Sequence, residues 1–249
     1  MNVLVLGATS VIGSHLAAAF AAGNNLLLAG RDVSRLREAA NRCRDAGAGA
    51  VFEFPCDLGC GGDELIAKAV EWDPDVIVNA ASASSRLRDD FIPFSQLSRT
   101  VMVDLLAPLD LVNSIAAHRS GRLTRIVFVS SVLAVVASPR RVIYGCLKRM
   151  QEQALVMFAR SQPGVQVLIA RIAKVIPPDG PSPDSARFAS AVRRSFDQSR
   201  NRMSFGWSGR LMVALFFVQP WAFALAVRLI RSVRQRREES VSTQGASGH

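Results

Sequence analysis

The chain has 249 residues, about half of them hydrophobic, which suits one α/β domain with a buried core and a short appendage. Its formal charge of +10 is carried by arginines spread along the chain, since only three of the thirty basic residues are lysines, and this distribution argues against a nucleic-acid partner. The four cysteines have no C-x-x-C spacing and there are only three histidines, so we expect no metal site and a reducing, cytoplasmic compartment.

Short apolar strands alternate with helical segments over the first two thirds of the chain. The predicted strands cover residues 3–6, 26–29, 50–54, 76–78, 126–129 and 166–170, and the predicted helices cover 11–22, 33–46, 63–71, 97–118 and 143–160. A loop at 177–185, a helix near 186–200 and a possible seventh strand at 202–207 follow. Such alternation is typical of parallel strands joined by right-handed crossovers. We therefore predict an α/β fold, a doubly wound parallel sheet of the Rossmann type with helices on both faces.

The turn after the first strand reads G-A-T-S-V-I-G over residues 7–13. We predict that Gly7 makes the sharp turn and that Gly13 lets the following helix pack close to the strand. Between them, Thr9 and Ser10 offer hydroxyl groups where a further glycine is common. The helix N-terminus that follows is a suitable place for a pyrophosphate, so the turn indicates a dinucleotide site.

The second strand ends in Gly30-Arg31-Asp32, at the point where the ribose of a bound dinucleotide would lie. An acidic residue there accepts a bond from the ribose 2′-hydroxyl, whereas an arginine pairs with a 2′-phosphate. Arg31 therefore favours NADP(H) over NAD(H). We predict Asp32 as the N-cap of the next helix, a role for which Ser34 competes.

Tyr144 and Lys148 stand four residues apart on a predicted helix and therefore share one face. A phenol ordinarily titrates near pH 10, and a nearby ammonium group favours the phenolate form. Ser131 lies at the end of the fifth strand, where its hydroxyl can hold a substrate carbonyl oxygen while Tyr144 transfers the proton. Tyr144 is the only tyrosine of the chain, so its four-residue spacing from Lys148 would be an unusual coincidence.

On these residues the chain resembles the short-chain dehydrogenase/reductase family, from residue 1 to about residue 176. The motifs that carry the resemblance are GATSVIG, Gly30-Arg31, Asp57-Leu58, Asn79-Ala80-Ala81, Ser130-Ser131 and Tyr144-x-x-x-Lys148. The resemblance implies that four residues surround the pyrophosphate: Gly7, Ser10, Ile12 and Gly13. It also implies that Asp57 and Leu58 flank the adenine and that Asn79 and Ala80 line the nicotinamide ribose. Ser131, Tyr144 and Lys148 would be the catalytic residues, and Tyr144 and Lys148 would also bind the cofactor.

The sequence departs from the family pattern at several of these positions. The middle glycine of the turn is absent, and Asp104 stands where the family has a fourth catalytic residue, an asparagine. Asp104 is able to order a water molecule next to Lys148, while its charge would alter the proton relay. These departures keep open a nucleotide-binding subunit without catalytic activity. A sugar-nucleotide epimerase or dehydratase is a further alternative, because such enzymes share the turn and the Tyr/Lys pair.

The segment 211–230 is apolar, is interrupted by Gln219-Pro220 and is followed by clustered arginines. We predict two short helices on the inner membrane surface, in preference to helices packed on the domain or at a dimer interface. A single bilayer span fits least, because it would place the basic tail on the side away from the cytoplasm. The expected divisions are a catalytic domain at 1–208, an apolar and basic helical extension at 209–237 and a disordered tail at 238–249.

The C-terminal third is similar to the reductase component of the decaprenylphosphoryl-ribose 2-epimerase pair, which implies a keto-sugar carried on a lipid as substrate. The expected function is therefore NADP-dependent reduction of a carbonyl, or oxidation of an alcohol, on a small molecule or a lipid-linked sugar. We expect a homo-oligomer or a complex with a partner subunit.

Overall fold

Apolar runs that are buried on both sides build the central sheet, which a computed structural model of the chain describes together with the helices around it. The described residues are 1–60, 62–83, 92–136, 138, 141–173, 183–206, 210–211 and 213–214. Seven strands lie within them: β1 (Asn2–Leu6), β2 (Asn25–Gly30), β3 (Val51–Pro55), β4 (Val76–Asn79), β5 (Thr124–Ser131), β6 (Val165–Ile172) and β7 (Arg202–Phe205). They form one sheet in the order β3-β2-β1-β4-β5-β6-β7, and every neighbouring pair is parallel.

Seven α-helices cover the two faces of the sheet in the described part of the chain. They are α1 (Val11–Ala19), α2 (Val33–Asp45), α3 (Asp63–Trp72), α4 (Phe94–Val101), α5 (Ala107–Arg119), α6 (Val142–Ser161) and α7 (Pro183–Asp197). Because successive strand residues point to opposite faces, Val3 and Val5 pack with α1, α2 and α7, whereas Leu4 and Leu6 pack with α3, α5 and α6. The predicted doubly wound parallel sheet is confirmed.

The chain reverses its direction of travel across the sheet between β1 and β4. β1 pairs with β2 on one side and with β4 on the other, so that Leu6 lies opposite Asn79 at the carboxyl ends. In open α/β sheets, ligands bind in the crevice outside the strand carboxyl ends at such a switch point. The fold therefore places the GATSVIG turn at the expected ligand edge.

The helix predicted at 97–118 is longer and is not uniform. It runs from Phe94 to Arg119, and a π-helical turn at Met102–Leu106 separates α4 from α5. Pro108 lies in the first turn of α5 and has no N–H, so it cannot donate the usual helical bond to the carbonyl of Asp104. The local register widens there, as π-turns inside α-helices commonly do at functional sites.

Two other boundaries differ from the sequence prediction. The loop predicted at 177–185 is too long, because α7 already begins at Pro183, a residue type that suits the first turn of a helix. The seventh strand ends at Phe205, so it is shorter than the predicted 202–207. Most of the predicted extension at 209–237 and all of the tail at 238–249 lie outside the described residues.

Among the described residues, one helical stretch, Phe94–Arg119, is long and apolar enough to cross a membrane. Many of its apolar side chains, such as those of Leu111 and Ile115, are buried against the sheet. A core helix of a globular domain has the same composition, so this stretch is weak evidence for a membrane span.

Candidate functional site

The turn between β1 and α1 is too crowded for any residue but glycine at its two ends. Gly7 has a φ of +73°, and a Cβ built on it would lie 2.7 Å from the backbone of Ala81. A Cβ at Gly13 would lie 2.1 Å from the carbonyl oxygen of Gly7. The turn therefore has the tight backbone and the close contact between helix and strand that the sequence predicts for both glycines.

Ser10 serves the backbone of this turn. Its hydroxyl donates to the Gly7 carbonyl at 2.8 Å and accepts from the Gly13 N–H at 2.9 Å, which makes it the N-cap of α1. Thr9 lies against the end of β2. Its methyl group is 2.6 Å from the position that a Cβ on Gly30 would occupy. Ile12 is partly buried against the core.

A cleft of about 730 Å³ opens along the carboxyl ends of β1, β2 and β4. Its lining brings together seven of the predicted cofactor residues: Gly7, Thr9, Ser10, Arg31, Asp57, Leu58 and Ala80. The other five predicted cofactor residues, Ile12, Gly13, Asn79, Tyr144 and Lys148, do not line the cleft that the described residues form. Asn79 is buried behind it, and its side-chain oxygen accepts from the Ala81 N–H at 3.1 Å, so it shapes the loop after β4.

The end of the cleft next to β2 and β3 is rich in charge. Asp32 caps α2 by accepting from the Arg35 N–H at 3.0 Å, which settles the competition with Ser34. The side chain of Arg35 lines the cleft beside Arg31, and sequence reasoning missed it. Its place in the first turn of α2, close behind the end of β2, is a signal that could have found it.

Asp57 is held from two sides in this end of the cleft. Its Oδ1 accepts from the Gly59 N–H at 2.9 Å, and its Oδ2 forms an ion pair with the guanidinium of Arg99 on α4. Partial burial raises the pKa of this carboxyl, but the Gly59 bond and the nearby charges of Arg99 and Arg31 outweigh it, so the pKa lies below its usual value. Sequence reasoning also missed Arg99, which lies 42 residues from Asp57.

Three of the four predicted catalytic residues, Ser131, Tyr144 and Lys148, are buried at the carboxyl end of β5 and on α6. Ser131 is the last residue of β5, and its hydroxyl accepts from the Leu133 N–H at 3.1 Å. Lys148 donates from Nζ to the Val129 carbonyl at 3.2 Å. A Cβ at Gly145 would lie 2.7 Å from the Leu133 carbonyl oxygen, so α6 packs tightly against the turn that follows Ser131. This packing brings the helix of Tyr144 and Lys148 to the end of the fifth strand.

A buried ionic network lies behind these residues, and the sequence did not predict it. Glu152 accepts from the Ser130 hydroxyl at 2.6 Å and from Arg171 at 2.8 Å and 2.5 Å. All three side chains are almost fully buried. The network ties β5, β6 and α6 together directly beside Ser131.

Asp104 lies in the π-turn and is fully buried. Its carboxylate accepts from the Ala83 N–H at 2.5 Å and from the Ser82 hydroxyl at 3.1 Å. The carboxylate therefore holds the loop after β4, part of which lines the cleft. Its predicted role beside Lys148 stays a prediction.

No cluster of three or more His, Cys, Asp or Glu side chains suited to a metal ion occurs in the part of the chain that the structure describes. The four cysteines, all of which are described, are free thiols. Burial, with the nearby charge of Asp57, raises the pKa of the Cys56 thiol to about 11.

Residues 3–219 match the NAD dependent epimerase/dehydratase family. The chain belongs to this family. It is 29% identical over 235 residues to an uncharacterized oxidoreductase of Mycobacterium tuberculosis strain H37Rv, a match that covers 88% of this chain and 93% of that protein.

Among solved structures, a short-chain dehydrogenase from Sphingobium yanoikuyae in complex with NADPH is 23% identical, with a TM-score of 0.73, and the match covers 93% of this chain and 95% of that one. An alcohol dehydrogenase from Thermococcus sibiricus complexed with 5-hydroxy-NADP is 22% identical, with a TM-score of 0.71 and coverages of 82% and 95%. The two solved structures confirm the predicted Rossmann-type fold, and the family match over residues 3–219 agrees with the prediction of an NAD(P)-dependent enzyme.

Proposed function

We propose that this protein is an NADP(H)-dependent oxidoreductase that reduces a carbonyl group, or oxidises the corresponding alcohol, with Tyr144 as the general acid/base. One arrangement carries the proposal: a cleft with a glycine turn and three arginines opens at the carboxyl ends of the strands, and Ser131 lies at the carboxyl end of β5 with Tyr144 and Lys148 on the adjoining helix α6. All strands are parallel, so their carboxyl ends meet at one edge of the sheet.

The residues of the turn fit a dinucleotide. The crowding at Gly7 and Gly13 leaves a cradle without side chains beside the N-terminus of α1. Ser10 satisfies the Gly13 N–H, whereas the N–H groups of Val11 and Ile12 make no bond with the described residues. Together with the helix dipole, these donors suit a pyrophosphate.

Arg31 and Arg35 support NADP(H) as the cofactor. Both line the cleft at the end of β2, and Arg31 makes no ion pair with the described residues. Guanidinium groups recognise phosphate oxygens by paired hydrogen bonds. The two structurally similar dehydrogenases are described with NADPH and 5-hydroxy-NADP, which agrees with this choice.

When bound, the nicotinamide would exchange a hydride with the substrate carbon. Ser131 would hold the substrate oxygen: the Leu133 N–H occupies a lone pair of its Oγ, so the hydroxyl hydrogen stays available to donate. Tyr144 would donate the proton to that oxygen in reduction and withdraw it in oxidation. Lys148 is buried on the same helix as Tyr144, and its bond to the Val129 carbonyl would fix its ammonium group at the end of β5.

The test is a titration of the protein with NADPH and NADH, followed by nicotinamide fluorescence. We expect NADPH to bind more tightly, and Arg31→Ala to weaken NADPH by about tenfold while changing NADH little. Arg37→Ala is the matched control, because Arg37 is exposed on α2, the helix that follows Arg31, and lies outside the cleft. Equal affinity for the two cofactors in every variant would contradict the proposal.

For the substrate, we propose a small molecule and, more narrowly, a keto-sugar carried on a lipid. The enzyme would then work in the cytoplasm, at the inner face of the membrane. The support is the sequence of 209–237, where an apolar segment precedes clustered arginines. We expect reduction of a polyprenyl-phosphate keto-pentose to exceed that of a water-soluble ketone, and anionic vesicles to bind the full chain. Removal of residues 209–249 should abolish vesicle binding and preserve NADPH binding.

We also propose that the chain works as an oligomer. Val142, Met150 and Met157 are exposed on one face of α6, which gives this helix an apolar outer surface. Light scattering of the purified chain should show a homo-oligomer. A monomer would favour the alternative of a separate partner subunit.

A sugar-nucleotide epimerase or dehydratase is the second candidate: the family matched over residues 3–219 is described as NAD dependent epimerase/dehydratase, and the sugar-nucleotide substrate is the alternative that the sequence left open. Such an enzyme returns its cofactor to the starting redox state. Net NADPH consumption with a ketone therefore supports the oxidoreductase, whereas conversion of a nucleotide sugar without net consumption supports the second candidate. Binding without either reaction supports a nucleotide-binding subunit.

A further inference from the structure

Resting on the proposed NADP(H) binding, we propose that Arg99 is a specificity-determining residue of the cofactor site. It neutralises Asp57 and so keeps Arg31 available for the 2′-phosphate. Four observations carry this inference, and none of them concerns the glycine turn or the catalytic residues.

The first observation is that Arg31 and Asp57 emerge side by side. Gly30 of β2 pairs with Pro55 of β3, and the Cys56 N–H donates to the Gly30 carbonyl at 3.0 Å. Arg31 directly follows β2, Asp57 is the second residue after β3, and both line the same end of the cleft. Their charges are close enough for Arg31 to lower the pKa of the Asp57 carboxyl.

The second observation is that Asp57 already forms an ion pair with Arg99. Arg99 reaches from α4 to pair with Oδ2, while the Gly59 N–H takes Oδ1. The guanidinium of Arg99 lies directly against Gly59, where a Cβ would come within 2.8 Å of its Cζ. The glycine thus provides the space in which this ion pair forms.

The third observation is that both partners remain accessible at the cleft wall, with side-chain exposures of 40% for Arg99 and 33% for Asp57. A bare carboxylate at this place would repel a phosphate and attract Arg31. With Arg99 in position, Asp57 is paired, and Arg31 makes no ion pair with the described residues.

The fourth observation is that the neighbouring charges are also matched. Asp32 is engaged by the Arg35 backbone at 3.0 Å, and the Arg35 Nε lies 3.7 Å from its carboxylate. Both acidic side chains of this end therefore have basic partners of their own. Among the described arginines of this end, Arg35 and Arg99 each have an acidic partner and Arg31 has none, so Arg31 is the best placed of the three for a phosphate on the adenosine ribose.

The experiment measures dissociation constants for NADPH and NADH, and for adenosine 2′,5′-bisphosphate against adenosine 5′-monophosphate, by fluorescence and calorimetry. The variants are Arg99→Ala, Asp57→Asn and the double variant. Arg122→Ala is the control, since Arg122 forms an exposed ion pair with Asp73 away from the cleft.

We expect Arg99→Ala to weaken both 2′-phosphorylated ligands by about fivefold, the scale of one partly exposed charge pair, and to leave the other two within about twofold. Asp57→Asn in that background should restore the lost affinity, because Arg31 then has no carboxylate to pair with. The control should match the wild-type protein.

Three results would overturn the inference. Equal weakening of all four ligands would mean that Arg99 contacts the shared adenosine. Failure of the double variant to recover would mean that Arg99 binds the phosphate itself, and unchanged selectivity in Arg99→Ala would mean that it does not act on Arg31. If the wild-type protein shows no preference for NADPH, the proposed cofactor is wrong as well. The wild-type preference therefore tests the proposed function, and the variants test the role of Arg99 separately.

Discussion

Breaking the buried ion pair between Glu152 and Arg171 should be among the most damaging single changes in this protein. The two side chains are only 5% and 6% exposed and share hydrogen bonds of 2.5 Å and 2.8 Å, and Ser130 adds a third bond to Glu152. Arg171→Met leaves the carboxylate of Glu152 buried without its counter-charge, which costs about 3–5 kcal/mol. For a domain of this size, about 1 kcal/mol shifts Tm by roughly 2–4 °C. We therefore expect Tm to fall by about 10 °C.

The assay is thermal unfolding by circular dichroism, with urea unfolding for the free energy. Arg122→Met is the control, because its ion pair with Asp73 is exposed and should contribute about 1 kcal/mol or less. The double variant Arg171→Met/Glu152→Leu should recover more than half of the loss, since apolar replacement of a buried pair is often neutral. A Tm change below about 3 °C for Arg171→Met, or a double variant less stable than the single one, would refute the reasoning.

Four further outcomes are expected. Gly13→Ala should abolish NADPH binding and lower Tm, because its Cβ would lie 2.1 Å from a backbone oxygen, whereas at Gly62 the nearest atom to a Cβ is 3.7 Å away and Gly62→Ala should change neither property. Tyr144→Phe should lower kcat about 10²–10⁴-fold and preserve the fold, as measured by steady-state kinetics and circular dichroism. At pH 8 a thiol reagent should label exposed Cys60 at least about tenfold faster than Cys56, since burial raises the pKa of Cys56 to about 11; equal rates in peptide mapping would contradict this. Burial raises the pKa of Asp75, but the Asn2 N–H and Arg119 outweigh it and hold the pKa low. Its contribution to stability is therefore complete above about pH 4 and lost as pH falls through the lowered pKa, so Asp75→Asn should flatten the acid side of the urea-unfolding profile.

Several features of the site were predictable because their signals are local in the sequence. A tight turn between a buried strand and a helix limits the backbone conformations that its residues can adopt. The need for glycine at positions 7 and 13 is therefore predictable from the local sequence. The four-residue spacing of Tyr144 and Lys148 places both on one helix face for the same reason. The position of Ser131 at the end of β5 follows from the length of the apolar run before it.

The π-turn at Asp104 was within reach of the sequence but was not predicted. Pro108 has no N–H, so the usual helical hydrogen bond from residue 108 to the Asp104 carbonyl does not form. Periodicity alone does not register such a change, because the apolar pattern continues on both sides of the turn. The Asp104 carboxylate accepts hydrogen bonds from Ser82 and Ala83 in the loop after β4. These bonds depend on how the helix that contains Asp104 lies against β4.

By itself, the sequence determined the class of fold, the glycine turn and the identity of the catalytic candidates, since these depend on residues near one another in the chain. Only the tertiary structure decided which charges meet. Arg99 finds Asp57 across 42 residues, and Arg171 finds Glu152 across 19, because α4 and α6 pack against particular strand ends. Which side chains pair between elements depends on the orientation of each helix and its distance from the sheet. The hydrophobic periodicity of the sequence predicts neither quantity.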